Sequence, residues 1–212
     1  MNVVSDLVGT LTTGYPVRGV VSWVRHHQSV ARANLYILSF LPSYALAKLG
    51  FINYQNWGQN LMRTSLRLVL NPTEHTAPEI ANWTVEKELW PMRRENILER
   101  LRKHQKEGAL VTIASSANEH IVKSFADRLD AQAIGSPIQL VEGRLRFETK
   151  LMTRELKIQR VLRLLGVRHL DVAYGDTEAD IPMLENAEFA VAVYPDKTLR
   201  SLAENRGWEI ID

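Results

Sequence analysis

A chain of 212 residues, 45% hydrophobic and 24% charged, can bury a full core and fits one domain plus an insertion. It has no cysteine, which excludes disulfides and thiolate metal sites, and its net charge is only +2. The longest uncharged stretch, Ala33 to Ala47, contains Pro42 and falls short of the ~20 apolar residues of a spanning helix, so no transmembrane segment is expected. The N-terminal apolar run is too short and too acidic for a secretory signal, and the expected location is the cytoplasm.

The chain opens on Val3-Val4-Ser5, an apolar strand that ends on Asp6 and turns through Gly9-Thr10. A carboxylate at the carboxyl end of a parallel strand is presented to ligands, the geometry of a nucleophile. Thr13-Gly14-Tyr15-Pro16 reads as a loop, and helical spacing of apolar residues runs from Val17 to about Leu70. From Thr13 to Thr73 there is no Asp or Glu, whereas Arg18, Arg25, Arg32, Lys48, Arg63 and Arg67 give six cations. Arg18, Arg25 and Arg32, seven apart, share a face if one helix carries them all. Interleaved aromatics include Trp23, Tyr36, Phe40, Tyr44, Phe51, Tyr54 and Trp57. Two readings of this segment stand: a packed aromatic core with a solvated basic face, or a surface that attracts a phosphorylated substrate or an anionic membrane surface. There is no nucleic-acid-binding motif. His26-His27 is a poor metal pair, because adjacent histidines on a helix diverge.

Beyond a break at Asn71-Pro72, a helix is expected over 79–89 and another over 92–107, with Pro91 as its first residue and Gly108 as its stop. Ala109 to Ala114 is a continuous apolar run leading into Ser115-Ser116, a buried parallel strand and its loop. A helix over 118–129, a hairpin over 138–147, an amphipathic helix over 156–165 ended by Gly166, and strands at 170–174 and 188–193 follow. The simplest assembly is an α/β domain of residues 1–13 and 91–212, with a mostly helical insertion at 14–90 that leaves just after the acid-bearing strand.

Asp6, Ser115, Lys157, and the string Ala173-Tyr174-Gly175-Asp176-Thr177-Glu178-Ala179-Asp180-Ile181-Pro182 occur in an order and spacing that resemble the haloacid dehalogenase-like hydrolases. The likeness is to their phosphoserine-phosphatase-like branch, whose helical cap lies between the first and second motifs. It implies a three-layer Rossmann-like parallel sheet with an inserted helical cap, and Mg2+-dependent hydrolysis of a small phosphomonoester. It further implies that Asp6 is the nucleophile and that Ser115, Ser116, Lys157 and Thr10 hold the phosphate. Asp6, Asp176 and the backbone carbonyl of Val8 would hold Mg2+, with Asp180 behind them orienting a water or Lys157.

One departure stands out. The family usually carries a second aspartate two residues after the first, which protonates the leaving group and then activates the hydrolytic water; here that position is Val8. Its carbonyl can still serve a metal, but its side chain cannot move protons. A slow phosphatase is therefore expected; the alternatives are a phosphotransferase that keeps its phosphate, or a phosphate-binding regulatory protein. Glu119 and Glu178 are candidate substitutes for the missing acid, and oligomeric state is not legible. The string Asp6 to Thr12 also resembles the phosphorylation loop of P-type ATPases, which likewise lack an acid there.

Overall fold

The structure, a computed structural model, describes residues 1–51 and 54–212, with the backbone alone for 54–56. The Tyr54 ring, one of the expected aromatics, thus lies outside the described residues' side chains. The first strand, β1 (Asn2–Ser5), is followed by α1 (Pro16–His27), α2 (Val30–Lys48), α3 (Tyr54–Ser65) and α4 (Thr76–Thr84). α4 continues through one widened turn over Val85–Leu89, closed by Trp90 N–H donating to the Val85 carbonyl. Pro16 opens α1, where its missing N–H costs nothing. The condition under which Arg18, Arg25 and Arg32 would share a face, one helix bearing all three, is not met. The helical run is broken at Gln28-Ser29, where Ser29 caps α2, and Arg32 turns to the Arg67 carbonyl instead.

Then come α5 (Glu95–Lys106), β2 (Leu110–Asn118), α6 (Glu119–Ala126), β3 (Gln132–Ser136), the hairpin β4 (Ile138–Val141) and β5 (Arg144–Phe147), and α7 (Arg154–Leu165). The chain closes with β6 (Leu170–Gly175), α8 (Ile181–Leu184), β7 (Ala187–Val193), α9 (Lys197–Arg206) and β8 (Glu209–Ile211). Two boundaries depart from expectation. Pro91 does not start α5, which begins at Glu95. Residues 92–94 are drawn out instead, because Thr13 N–H bonds the Met92 carbonyl and Arg94 N–H bonds that of Leu11. β3 and β8 were not expected as strands. They are short edge strands whose pairing comes from their neighbours rather than from their own sequence.

Six parallel strands make one sheet in the order β3-β2-β1-β6-β7-β8. Side-chain alternation divides the core. Val3, Ile113, Val172 and Val191 face a layer with α5 and α6, whereas Val4, Ala114, Ala173 and Ala190 face α7, α8 and α9. The first of these clusters runs on through Val20, Val24, Ile80 and Val85, so α1 and α4 share a continuous core with α6 and the sheet. This is a three-layer Rossmann-like α/β fold. β1 is central and the chain order reverses on either side of it, which makes its carboxyl end the natural ligand site.

α2 is unusual. Only Ala33 and Ala47 are buried along it, while Leu35, Ile37, Leu38, Leu41 and Leu46 are exposed. Among the described residues, no helix is long and apolar enough to cross a membrane.

Candidate active site

Register brings the expected residues together. Ser5 lies beside Ile113 of β2 and Tyr174 of β6, so Asp6, Ser115 and Asp176 all leave the sheet at one edge. The β2–β3 register slips between Ala114 and Asn118, at Ser115-Ser116, and such irregularities re-aim side chains at a sheet edge. α7 delivers Lys157 from its first turn.

At the centre is a buried ion-pair network. Lys157 Nζ donates to Asp6 Oδ1 at 2.6 Å and to Asp180 Oδ1 at 2.7 Å, with all three side chains under 7% exposed. Asp180 Oδ2 accepts from the backbone N–H groups of Asp176 and Thr177, both at 3.2 Å, and from the Thr177 hydroxyl. Both its oxygens are thus committed. Asp180 fixes Lys157 and the turn that carries Asp176. Thr10 is fully buried, and its hydroxyl donates to Asp176 Oδ1 at 2.9 Å; it holds a carboxylate, not an open phosphate position. Asp6, Asp176 and Asp180 have carboxylate oxygens within 4.8 Å of one another.

Crowding three acids around one lysine has a cost. Burial, with Asp180 adding to it and Lys157 opposing, pushes the Asp6 carboxyl up to about 7. Burial, then Asp180 and Asp6, hold Asp176 well above the usual carboxylate range. Burial works against the Lys157 ammonium, but Asp180 and Asp6 outweigh it, so this lysine is charged at every physiological pH.

Two glycines are required by the packing. Gly9 has φ +97°, and a Cβ there would lie 1.9 Å from Asp176 Oδ2; a Cβ on Gly175 would meet that of Asp180 at 2.5 Å. The acids close on one another only because these positions carry no side chain.

A cavity of about 580 Å3 opens over the cluster, lined by Asp6, Val8, Ser115, Ser116 and Lys157 on one side and by residues of α1, α2 and α3 on the other. Neither expected substitute for the missing acid reaches it. Glu119 accepts from Ile138 N–H at 3.2 Å, and Glu178 pairs with Arg154 at 3.2 Å. Among the described residues, Asp6 and Asp180 are the only carboxylates in its lining. His26 and His27 pack against Trp83.

Supporting contacts that the sequence does not advertise hold the site. Arg94 Nε donates to the Gly9 carbonyl while its guanidinium stacks 3.7 Å from the Tyr194 ring centre, bracing the loop after Asp6. Ser136 accepts from Met152 N–H and donates to the Ser116 carbonyl at 2.8 Å, tying the approach to α7 to the irregular end of β2 at Ser115-Ser116. An arginine or serine at such distances along the chain carries no local signal of these partners.

The haloacid dehalogenase-like hydrolase family matches residues 3–185. The chain belongs to this family. It is 58% identical over 40 residues, 19% of its length, to the phosphoserine phosphatase SerB1 of Mycobacterium tuberculosis, of which it spans only 13%. A Bordetella pertussis protein of unknown function has a similar fold, with TM-score 0.78 at 20% identity over 100% of this chain and 97% of that one. A substrate-bound phosphoserine phosphatase follows with TM-score 0.61 at 15% identity, covering 99% and 91%.

Proposed function

We propose that this hydrolase cleaves phosphomonoesters through a phosphoryl group transiently carried on Asp6. The observation that carries the reading is the Lys157 ammonium, held at 2.6 Å from Asp6 by Asp180 in a buried site at the sheet's switch point. Phosphoryl transfer needs an in-line nucleophile and fixed positive charge against the equatorial oxygens more than covalent ingenuity. Asp6 Oδ2 attacks phosphorus as the P–O bond to the leaving group breaks, the departing oxygen keeping the electron pair and taking a proton from solvent. Water then attacks the same phosphorus, gives up a proton to solvent, and phosphate leaves as the Asp6 carboxylate is freed. Ser115 and the backbone N–H groups of the loop it begins supply neutral donors, and Lys157 offsets the growing charge. The segment 14–90, proposed as a cap, bounds the cavity from above, and its stretch up to Thr73, which holds six cations and no acid, favours an anionic substrate.

The donor set fits a divalent cation. Clustered, buried carboxylates with raised pKa values and a single balancing lysine are short of positive charge, and hard oxygen donors suit Mg2+. Asp6 and Asp176, with the Val8 carbonyl, would hold it. When bound it would supply charge neutralisation across the transferring phosphoryl group. Asp176→Asn relieves the crowding, so it is expected to raise the melting temperature of metal-free protein at pH 8 by roughly 2–8 °C, as about 1–2 kcal/mol does for a chain this size. The same substitution should erase the gain that Mg2+ gives the wild type; thermal melts with and without Mg2+ check both.

The proposed activity is tested by phosphate release from p-nitrophenyl phosphate. Release that requires Mg2+ and stops on chelation supports it. Silence from wild type and from Val8→Asp alike would leave a phosphate-binding role.

A further inference from the structure

A second cavity of about 520 Å3 lies among α1, α2 and α3, lined by Val21, Tyr36, Ile37, Phe40 and Leu41 among others. It abuts the cavity over Asp6: Val17, Arg18, Tyr44, Trp57 and Leu61 line both. The polar tips of two of its aromatic walls, Tyr36 and Trp57, are already engaged. The Tyr36 hydroxyl donates to the Leu61 carbonyl at 2.8 Å, and Trp57 Nε1 donates to Ser43 at 3.0 Å. What these residues offer a ligand is ring face.

We infer that the substrate is an amphiphile, a phosphomonoester whose apolar tail runs from the phosphate position at Asp6 past Trp57 into the α1–α2–α3 cavity. This rests on the phosphatase reading and names its substrate class. Two further observations support it. A zwitterionic amino-acid phosphate is best held by a free carboxylate against its ammonium group, yet among the described residues the carboxylates lining either cavity are Asp6 and Asp180, both bonded to Lys157, and the sequence holds no acid from Thr13 to Thr73. Ile37 lines the apolar cavity while 46% exposed, so the cavity opens to the surface along α2 and does not close over the end of a tail.

The test is a series of ethyl, butyl and octyl phosphates, kept below micelle-forming concentrations, with phosphoserine as the polar comparison. The same alkyl series as phosphonates, whose C–P bond is not cleaved, is titrated by calorimetry. Burial of each methylene is expected to raise kcat/KM, and phosphonate affinity, about fourfold, so octyl, four methylenes longer, should exceed butyl by roughly 250-fold. Ile37→Asp, which puts a charge in the apolar cavity and touches no reacting group, should flatten the gradient in both kcat/KM and phosphonate affinity. A flat series in wild type, or a preference for phosphoserine, overturns the inference while the phosphatase reading stands. If no ester is hydrolysed, the phosphatase reading fails, and the phosphonates still decide the tail site: graded affinity supports it and uniform affinity overturns it.

Discussion

Val8→Asp is expected to raise Mg2+-dependent phosphate release by about 10²- to 10⁴-fold, the usual worth of general acid–base catalysis. Val8 lines the cavity beside Asp6, so a carboxylate there faces the leaving group and the hydrolytic water. Nothing else among the described residues fills that role, since Asp6 and Asp180 are bound to Lys157 and Glu119 and Glu178 point elsewhere. The gain corresponds to roughly 3–5 kcal/mol of barrier. Because a proton donor serves the first half-reaction and a base the second, the step that a missing acid at position 8 would slow most is read from the intact mass. A phosphoryl adduct that persists on wild type and vanishes in Val8→Asp places the fault in hydrolysis of the phospho-aspartate. Asp6→Asn added to Val8→Asp should abolish both turnover and adduct; activity surviving that double substitution would refute Asp6 as the acceptor.

Lys157→Met is expected to destabilise the metal-free protein by about 3–5 kcal/mol, because removing one partner strands the other charges in the interior. For a chain of this length that is a fall in melting temperature of roughly 6–20 °C. Methionine keeps most of the aliphatic stem, so the loss reports charge and not volume. The pH dependence has a definite sign. The Asp6 carboxyl titrates near 7 in the fold and near ~3.9 unfolded, so between those values the native state binds more protons and stability falls as pH rises. With Lys157 gone that fall steepens, and the variant should lose more at pH 8 than at pH 5. Thermal melts at the two pH values check this; an equal loss at both would mean that the lysine's packing, not its charge, is what the fold uses.

Much of this site is legible in the sequence for a physical reason. Asp6, Ser115 and Asp176 each follow an apolar run, and in a parallel sheet the residue just past such a run must emerge at the same edge. Lys157 is less legible from its surroundings alone, because a lysine in the first turn of an amphipathic helix is ordinarily solvated; here it is 4% exposed. Thr10 shows the limit of motif reading. Its type suits a phosphate ligand, but the turn through Gly9 directs its hydroxyl at Asp176. The face that Arg18, Arg25 and Arg32 would share on one helix does not arise for a similar reason: spacing holds only while the helix continues, and Ser29 starts a new one.

The sequence by itself determined the strands' order of chemistry, the acid at the end of β1, the missing acid at Val8 and the acid-free helical segment, because these are local properties of composition and period. Only the tertiary structure decided that Asp180 serves Lys157, that Arg94 and Ser136 brace the segments around the site, and that an apolar cavity adjoins the cavity over Asp6. Those depend on which residues, distant in the chain, are brought within a few ångströms, and on backbone closeness that only Gly9 and Gly175 permit.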